Sequence, residues 1–500
     1  MQIRDLLLAT SLASASILAV PVMHAEVKLP AILADHMVIQ RDMPVHLWGT
    51  AAPGEKVHAE FRGHKADITA DASGNWSITL PKGSAGGPFP LLIQGANKIS
   101  FKDILVGDVW IASGQSNMEY TMDRDTSSKT GVQKTSVKDA NYPDLRLFHV
   151  TDNTAPVPLT DMLALQSWTP TTPDSVFKFS AIAYYFGREI LTDQKIPIGL
   201  IDSSVGATSA ETWSTPETMA DTSLIVDLPR LKPRKGDERR IKQGKPALGH
   251  DAANVADIDP DELTSAADIG LPSRAYNAMI APLTYLPIKG VIWYQGNNNA
   301  LTDARSKAYQ RLFPALITGW RKQWHEGDFP FLYVQLTGRE ANYDLAGVRQ
   351  AQLMTLSLPN TGMAVSADIG DPKLFHPPNK PDIGHRLALI ADAQVYGDKI
   401  EYYGPLFAKA VPNGHSITVS FTHTTGGLVV KGGKLAGFEV AGADGKWAPA
   451  DAAVDGLTVV ASSAAVSAPL YVRYAYYAYG PTPLYNGVAL PASPFTSKPD

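Results

Sequence analysis

The feature that most constrains the fold is a change in apolar periodicity along the 500 residues of the chain. Between residues 106 and 400, continuous apolar runs alternate with segments that repeat apolar residues at helical spacing. Continuous runs are typical of strands buried on both faces, so the alternation predicts a parallel sheet covered by helices on both sides. The predicted strands are Val106–Ala112, Ile196–Ile201, Ile288–Tyr294, Phe329–Leu336 and Met363–Ala367, and the predicted helices are Ala181–Leu191, Ala308–Trp324, Val348–Leu356 and Asp382–Ala391.

Period-two alternation flanks this region on both sides, as in Trp76–Leu80 and Ser416–Phe421. Glycine and proline turns separate the runs, which predicts an antiparallel β-sandwich at each end of the chain. The predicted organisation is an N-terminal β-sandwich over 26–105, a central α/β domain over 106–400 and a C-terminal β-sandwich over 401–500. The alternation breaks down at about 214–271, which we interpret as a solvated insertion, with a lid over the active site as the alternative.

Charge and cysteine content exclude several classes of protein. The chain has 44 Lys plus Arg against 49 Asp plus Glu, a net charge of −5, so its bulk charge does not favour nucleic acid. It has no cysteine, which excludes disulfides, thiolate nucleophiles and Cys-bound metals. No metal-binding motif is present either, so we expect no metal site, and any nucleophile is an oxygen or a nitrogen.

The N-terminal 25 residues are typical of a secretory signal peptide, with an apolar stretch followed by small residues. Beyond it, no stretch approaches the ~20 apolar residues that span a bilayer. We therefore expect a periplasmic or secreted protein that has no membrane span once the signal peptide is removed.

Two candidate catalytic residues follow predicted strands of the central sheet. Ser116 lies just after Val106–Ala112 in a glycine-containing turn, and we expect a helix to follow it. His376 lies after the last predicted strand, and the carboxyl ends of parallel strands share one edge of a sheet. Because a serine hydroxyl needs a base and histidine titrates near neutrality, Ser116 and His376 form a candidate nucleophile and base.

Several longer motifs carry a resemblance to a known family. They are GQSNM at 114–118, DSSVGATSAETW at 202–213, RAYNAMIAPL at 274–283, IKGVIWYQGNNNA at 288–300, VRQAQ at 348–352, DIGDPKLFHPPNK at 368–380 and LPASPF at 490–495. In this order they resemble the sialate O-acetylesterase-like proteins, a branch of the SGNH hydrolases. The resemblance runs from about residue 28 to residue 495.

The resemblance implies an SGNH-type three-layer α/β/α domain and a serine esterase that removes acetyl groups from sugar hydroxyls through an acyl-enzyme, without a cofactor. The implied nucleophile is Ser116 and the implied base is His376. The implied oxyanion hole consists of the N–H groups of Ser116 and Gly206 with the Gln295 side-chain amide, and Asn298 is the alternative to Gln295. The implied substrate is an acetylated oligo- or polysaccharide, either a hemicellulose such as xyloglucan or xylan, or sialic acid.

Two departures from the family pattern leave the orienting acid open. Asn297 stands where the family has a glutamate, and Lys373 stands where the superfamily has an aspartate before the histidine. A carboxylate that fixes the imidazole tautomer assists catalysis, so we favour Asp371 and expect Asp371→Asn to lower the catalytic rate far more than substrate affinity. The alternatives are Asp368, Asp382 and a Ser-His dyad.

Two other functions stay open at this stage. The missing acidic residues are also consistent with a non-catalytic glycan-binding protein that has a degenerate esterase site. A lipase or thioesterase is less favoured because the loops are polar and rich in amides. Aromatic residues near the loops are candidates for stacking on sugar rings, namely Trp213, Trp293, Tyr294 and Tyr120. For each of them we favour packing in the core. For Arg349 we likewise favour a role in bracing the fold over contact with a substrate.

Overall fold

The structure is a computed structural model that describes residues 26–124, 132–226 and 269–499. The predicted signal peptide and most of the predicted insertion lie outside the described residues. Within the described ranges, no helix combines the length and apolar character needed to cross a bilayer.

The N-terminal region has seven strands. In β3 (Lys56–Phe61) and β5 (Asn75–Leu80) every second residue is buried, so each of these strands packs one face against the core. Strands β3, β4, β6 and the first half of β7 form an antiparallel sheet, β1 joins β7 in parallel, and β2 pairs with β5. The strands are β1 (Val38–Gln40), β2 (Val45–Thr50), β3 (Lys56–Phe61), β4 (His64–Thr69), β5 (Asn75–Leu80), β6 (Gly86–Gln94) and β7 (Lys98–Gly114).

The long strand β7 joins the N-terminal region to the central sheet. Its first half pairs with β6, and its second half, from Asp108 to Gly114, lies inside the central sheet. The domain boundary that we predicted between residues 105 and 106 thus falls within one continuous strand. A single apolar core includes buried residues of both regions, for example Leu47 and Ile292.

The central sheet has the strand order β13-β12-β11-β7-β10-β8-β9 in the described part of the chain. All neighbouring strands along this order are parallel except the last pair, in which β9 is antiparallel to β8. Every residue of β10 (Ile198–Ser204) and β11 (Gly290–Tyr294) is buried, which explains the apolar runs Ile198–Ile201 and Val291–Tyr294. The strands are β8 (Tyr142–Val150), β9 (Ala164–Thr171), β10 (Ile198–Ser204), β11 (Gly290–Tyr294), β12 (Phe331–Val334) and β13 (Thr361–Ala364).

Helices connect these strands, and the four helices predicted from sequence are confirmed within a few residues. Helix α8 (Lys380–Ala391) packs against α3 (Ala181–Gln194), and α6 (Asp303–Trp324) packs against α7 (Leu345–Thr355). The helices are α1 (Val132–Lys138), α2 (Pro173–Phe177), α3 (Ala181–Gln194), α4 (Ala210–Trp213), α5 (Pro216–Met219), α6 (Asp303–Trp324), α7 (Leu345–Thr355) and α8 (Lys380–Ala391). Shorter 3₁₀ or π segments are Thr222–Leu224, Tyr276–Ile280, Ala281–Tyr285, Asn297–Ala300, Ala367–Ile369 and Asp392–Tyr396.

The C-terminal region consists of antiparallel sheets around a second apolar core, which is separate from the core of the central sheet. The two larger sheets have the orders β14-β15-β20-β19 and β18-β17-β21-β23. The strands are β14 (Leu406–Asn413), β15 (Ser416–Thr422), β16 (Leu428–Val430), β17 (Phe438–Ala441), β18 (Trp447–Pro449), β19 (Asp451–Asp455), β20 (Thr458–Ser462), β21 (Tyr471–Tyr474), β22 (Leu484–Asn486) and β23 (Phe495–Thr496).

Candidate active site

A tight turn after β7 carries Ser116. Gly114 ends the strand with a φ of 133°, and a Cβ there would lie 2.3 Å from the Tyr294 carbonyl oxygen, so only glycine fits. The N–H of Gln115 donates to that same carbonyl at 2.9 Å, and the Gln115 carbonyl accepts from the N–H of Met118 at 2.7 Å. These bonds hold Ser116 at the carboxyl edge of the sheet, where its side chain is partly exposed.

The helix that we predicted after Ser116 is absent, because residues 115–124 contain a turn and no helix. The chain instead runs beside the start of α3, where the N–H of Ala181 donates to the Tyr120 carbonyl at 2.9 Å. The side chain of Met118 is fully buried in the core. This tertiary packing outweighs the local preference for helix, so no helix N-terminus is available beside Ser116 to hold an oxyanion.

The loop that carries His376 meets the Ser116 turn. The side-chain Nδ2 of Asn117 donates to the Phe375 carbonyl at 3.2 Å, and the ring centroids of Tyr120 and His376 lie 6.1 Å apart. Asn117 and Phe375 are the direct neighbours of Ser116 and His376, so the two loops lie against each other at this point. The Ser116 and His376 side chains share no hydrogen bond, but such bonds are often long before substrate binds.

The electrostatic surroundings of His376 favour its neutral form. Burial, followed by the positive charges of Lys380 and Arg124, lowers the pKa of His376 to about 4. The imidazole is therefore uncharged near pH 7, which is the form that can accept a proton from a serine hydroxyl.

Asp371, the favoured orienting acid, does not contact His376. Its Oδ1 accepts the backbone N–H groups of Lys373 at 2.7 Å and Leu374 at 2.9 Å. The carboxylate thus shapes the loop that carries His376, as aspartate commonly does in turns. Its predicted role in orienting the imidazole has no support from this geometry.

The two alternative acids are also bound to other groups. Asp368 forms a bidentate ion pair with Arg386, with N–O distances of 2.7 and 2.8 Å. Asp382 accepts the Nδ2 of Asn379 at 2.8 Å at the start of α8. No carboxylate among the described residues forms an ion pair with His376, so none of the three acids considered from the sequence is placed to orient the imidazole.

Gly206 lies opposite Ser116 on the loop after β10. A Cβ at Gly206 would lie 3.3 Å from the Ser116 Cβ and 2.7 Å from the Glu119 Oε2, so a side chain there would crowd Ser116 and displace the Glu119 carboxylate. Among the described residues, the backbone N–H groups of Ser116 and Gly206 have no hydrogen-bond partner. Both groups are therefore free to donate to an oxyanion.

The structure favours Asn298 over Gln295 as the third oxyanion donor. Gln295 is fully buried, and its Nε2 donates to the Thr208 carbonyl at 3.2 Å and to the Asn299 Oδ1 at 2.8 Å. Its two amide hydrogens are thus already bound. Asn298 is partly exposed, and its Nδ2 donates to the Ala207 carbonyl, which leaves one amide hydrogen beside Gly206.

Asn297, which replaces the usual glutamate, keeps a role as an acceptor. Its Oδ1 accepts the Nε2 of Gln115 at 3.3 Å, and the Oε1 of Gln115 accepts the N–H of Gly296 at 3.2 Å. These bonds tie the loop after β11 to the Ser116 turn. The amide therefore supplies the oxygen that this contact needs without placing a carboxylate in the site.

The core positions predicted for most of the aromatic candidates are confirmed. Trp213, Trp293 and Tyr294 are fully buried and cannot stack on a sugar, and Tyr120 is only 7% exposed. Arg349 braces the fold, since its buried guanidinium donates to four backbone carbonyls. These carbonyls belong to Leu336, Thr337, Tyr477 and Ala478.

Two residues at the site were not identified from the sequence. Lys380 is fully buried, and its Nζ lies 2.5 Å from the Oδ1 of Asn117. The two residues are Asn117, in the motif GQSNM, and Lys380, at the end of DIGDPKLFHPPNK. A lysine at the start of a helix gives no sequence signal that its side chain is buried. No cluster of three or more His, Asp or Glu residues that could hold a metal occurs in the described ranges.

The fold and the site together define the class of protein. A mostly parallel sheet with polar loops at its carboxyl edge, among them the loops of Ser116 and His376, is the architecture of α/β hydrolases. Comparisons with known proteins identify the family within this class.

A family profile described as "Carbohydrate esterase, sialic acid-specific acetylesterase" matches residues 269–391. The chain is 30% identical to sialate O-acetylesterase of Mus musculus over 74% of each chain, and 30% identical to that of Homo sapiens over 92% of this chain and 90% of the human one. The crystal structure of a carbohydrate acetylesterase from Xanthomonas citri is similar with 35% identity and a TM-score of 0.80, over 94% of this chain and 99% of that one. The chain belongs to the sialate O-acetylesterase family and is a carboxylic ester hydrolase.

Proposed function

We propose that the protein removes O-acetyl groups from carbohydrates through an acetyl-enzyme formed on Ser116, in an SGNH-type central domain. The observation that carries this proposal is the contact between the Ser116 turn and the His376 loop through Asn117 and Phe375. The family membership and the carbohydrate acetylesterase from Xanthomonas citri support an acetylated sugar as the substrate.

In the first half of the reaction, the Ser116 Oγ attacks the acetyl carbonyl carbon while His376 accepts the hydroxyl proton. The resulting oxyanion accepts hydrogen bonds from the N–H groups of Ser116 and Gly206 and from the Nδ2 of Asn298. His376 then gives its proton to the sugar oxygen as the ester bond breaks. In the second half, His376 accepts a proton from water, the hydroxide attacks acetyl-Ser116, and acetate leaves as Ser116 regains its proton.

For the sugar itself, we propose a neutral hemicellulose such as xyloglucan or xylan rather than sialic acid. The carboxylate of Glu119 lies beside Gly206. Burial, followed by the charge of Glu119, raises the pKa of the nearby Asp152 carboxyl, so these two acidic groups lie on the Gly206 side of the site. A substrate carboxylate held on this side would be repelled by them, whereas a neutral sugar would not. The ion pair of Arg124 with Glu119 reduces the repulsion, and the charges that act on His376 are positive, so the expected preference for a neutral sugar is modest.

Acetate release from acetylated xylan, acetylated xyloglucan and O-acetylated sialic acid tests the proposal. We expect release from at least one hemicellulose, faster than from sialic acid, and its loss in Ser116→Ala. Mass spectrometry of the wild-type protein after a short incubation should show one added acetyl group that Ser116→Ala lacks. Binding without release from any of the three would instead support the glycan-binding alternative.

We also propose that the protein acts outside the cytoplasm, in the periplasm or after secretion. The support is the N-terminal sequence, which is typical of a signal peptide cut after Ala25. Cell fractionation and N-terminal sequencing of the mature protein test this, and a cytoplasmic protein that keeps Met1 would contradict it.

A further inference from the structure

Lys380 is a buried cation at the proposed active site that the reaction scheme above does not use. Its side chain is fully buried, the Nζ lies 2.5 Å from the Oδ1 of Asn117, and the Nζ lies 4.7 Å from the centroid of the Tyr120 ring. No carboxylate among the described residues neutralises it. Burying an ammonium group in this way is costly, so the position needs an explanation beyond packing.

The first consequence of this placement is the orientation of the Asn117 amide. A lysine ammonium can only donate, so the Asn117 oxygen must face Lys380 and its Nδ2 must face away. That Nδ2 donates to the Phe375 carbonyl at 3.2 Å. Lys380 therefore selects the one amide orientation that joins the turn after β7 to the loop that carries His376.

The second consequence is electrostatic. The charged groups that act on His376 among the described residues are the Lys380 ammonium and the Arg124 guanidinium, and the Tyr120 phenol ring faces the imidazole. Both cations disfavour the imidazolium form, and Lys380 acts from a buried position where solvent screens little. Arg124 is exposed and forms an ion pair with Glu119, so its charge is screened.

We propose that Lys380 is a positioning residue for the esterase reaction: it fixes the Asn117 amide that joins the two catalytic loops, and its charge keeps His376 in the proton-accepting form. The inference rests on the proposed roles of Ser116 and His376. Burial, and secondarily the charge of Arg124, lower the pKa of Lys380 to about 7, so Lys380 carries its charge over the acidic range in which His376 titrates.

Three substitutions separate the two roles. Lys380→Met removes the charge and the donor, Lys380→Gln removes only the charge, and Lys380→Arg keeps both. We expect Lys380→Met to lower kcat about tenfold or more, because misplaced catalytic groups are costly. We expect Lys380→Met also to move the midpoint of the acid limb of kcat/KM to a pH about half a unit or more higher. Compared with Lys380→Met, Lys380→Gln should have a higher kcat and the same raised midpoint of the acid limb. In Lys380→Arg the midpoint of the acid limb should equal that of the wild type.

Arg124→Gln is the matched control, because it removes the screened cation that does not contact Asn117. In Arg124→Gln we expect the midpoint of the acid limb of kcat/KM to rise less than in Lys380→Met, and the plateau kcat to stay within about twofold of the wild type. A purely structural role for Lys380 would lower kcat and thermal stability together and leave the acid limb unchanged, and this result would overturn the proposal.

The pKa of the His376 imidazole, measured by NMR titration, provides a readout that does not need turnover. A higher pKa in Lys380→Met than in the wild type supports the electrostatic role, and equal values overturn it. Activity retained in Ser116→Ala would instead refute the proposed function, so the two failures are distinguishable.

Discussion

The assignment of the third oxyanion donor gives the sharpest prediction, because two neighbouring amides are expected to respond in opposite ways. Asn298 keeps one amide hydrogen after donating to the Ala207 carbonyl, whereas both amide hydrogens of Gln295 are already bound. Removing one oxyanion donor typically costs about 100-fold or more in kcat, or roughly 3 kcal/mol. We therefore expect Asn298→Ala to lower kcat by about 100-fold.

The same substitution should change stability little. Asn298 is partly exposed and gives up a single hydrogen bond, which corresponds to about 1 kcal/mol of unfolding free energy. Gln295 is fully buried, and Gln295→Met would leave the Thr208 carbonyl and the Tyr309 hydroxyl without the Gln295 partner, whereas the Asn299 amide oxygen would keep the Ala210 N–H. At about 1 kcal/mol or more for each orphaned group, the expected loss is about 2 kcal/mol or more.

Two measurements check this pair of variants. Initial rates of acetate release give kcat below the unfolding temperature of each variant, and urea denaturation gives the unfolding free energy. Methionine is close in size to glutamine, so the Gln295→Met result reports on hydrogen bonds rather than on a cavity. If Asn298→Ala kept kcat within about threefold while folded Gln295→Met lost about 100-fold, Gln295 would be the donor and our reasoning would be wrong.

Three further predictions concern pH, the histidine loop and the core. Because burial and two cations lower the pKa of His376 to about 4, the neutral base persists as pH falls, and the acid limb of kcat/KM should lie below pH 6; a limb at or above 6.5 would contradict this. Asp371→Asn should keep kcat within about threefold, since an amide oxygen can still accept the two N–H groups of the loop, and a much larger loss in rate assays would restore Asp371 to the mechanism. Arg349→Met leaves four backbone carbonyls without their donor and should cost about 3 kcal/mol or more in urea denaturation, and a near-neutral result would refute its bracing role.

The pattern of apolar residues predicted the parallel strands of the central sheet because a strand that is buried on both faces has a continuous apolar sequence. The predicted strand Ile196–Ile201, for example, corresponds to β10 (Ile198–Ser204). The strand β8 (Tyr142–Val150) was missed because it carries charged residues that interrupt the run. One of them, Arg146, is buried and forms an ion pair with Asp103 at 2.8 Å, a partner that lies far away in sequence.

Contacts with residues far away in sequence also explain why the prediction of a helix after Ser116 was wrong. A strand followed by a glycine turn is compatible with a helix in local terms, and nothing in the segment excludes one. The backbone bond between Ala181 and Tyr120 and the burial of Met118 decide the conformation, and both depend on tertiary packing. The predicted donors of a helix N-terminus are replaced by isolated N–H groups at Ser116 and Gly206.

The prediction of Asp371 as the orienting acid shows that spacing along the chain does not predict which group a carboxylate binds. Asp371 and His376 lie five positions apart, which is close enough for contact, but spacing does not specify the direction of a carboxylate. The Asp371 oxygen binds the N–H groups of the intervening loop, because an aspartate can satisfy two backbone donors within the next three residues. Among the charged groups, Lys380 acts most strongly on the imidazole, and no local pattern predicts its burial beside Asn117 and Tyr120. In the site that we propose, which has no acid partner for its histidine among the described residues, burial and nearby positive charge thus keep the imidazole neutral, and the Asn117 amide joins the histidine loop to the serine turn.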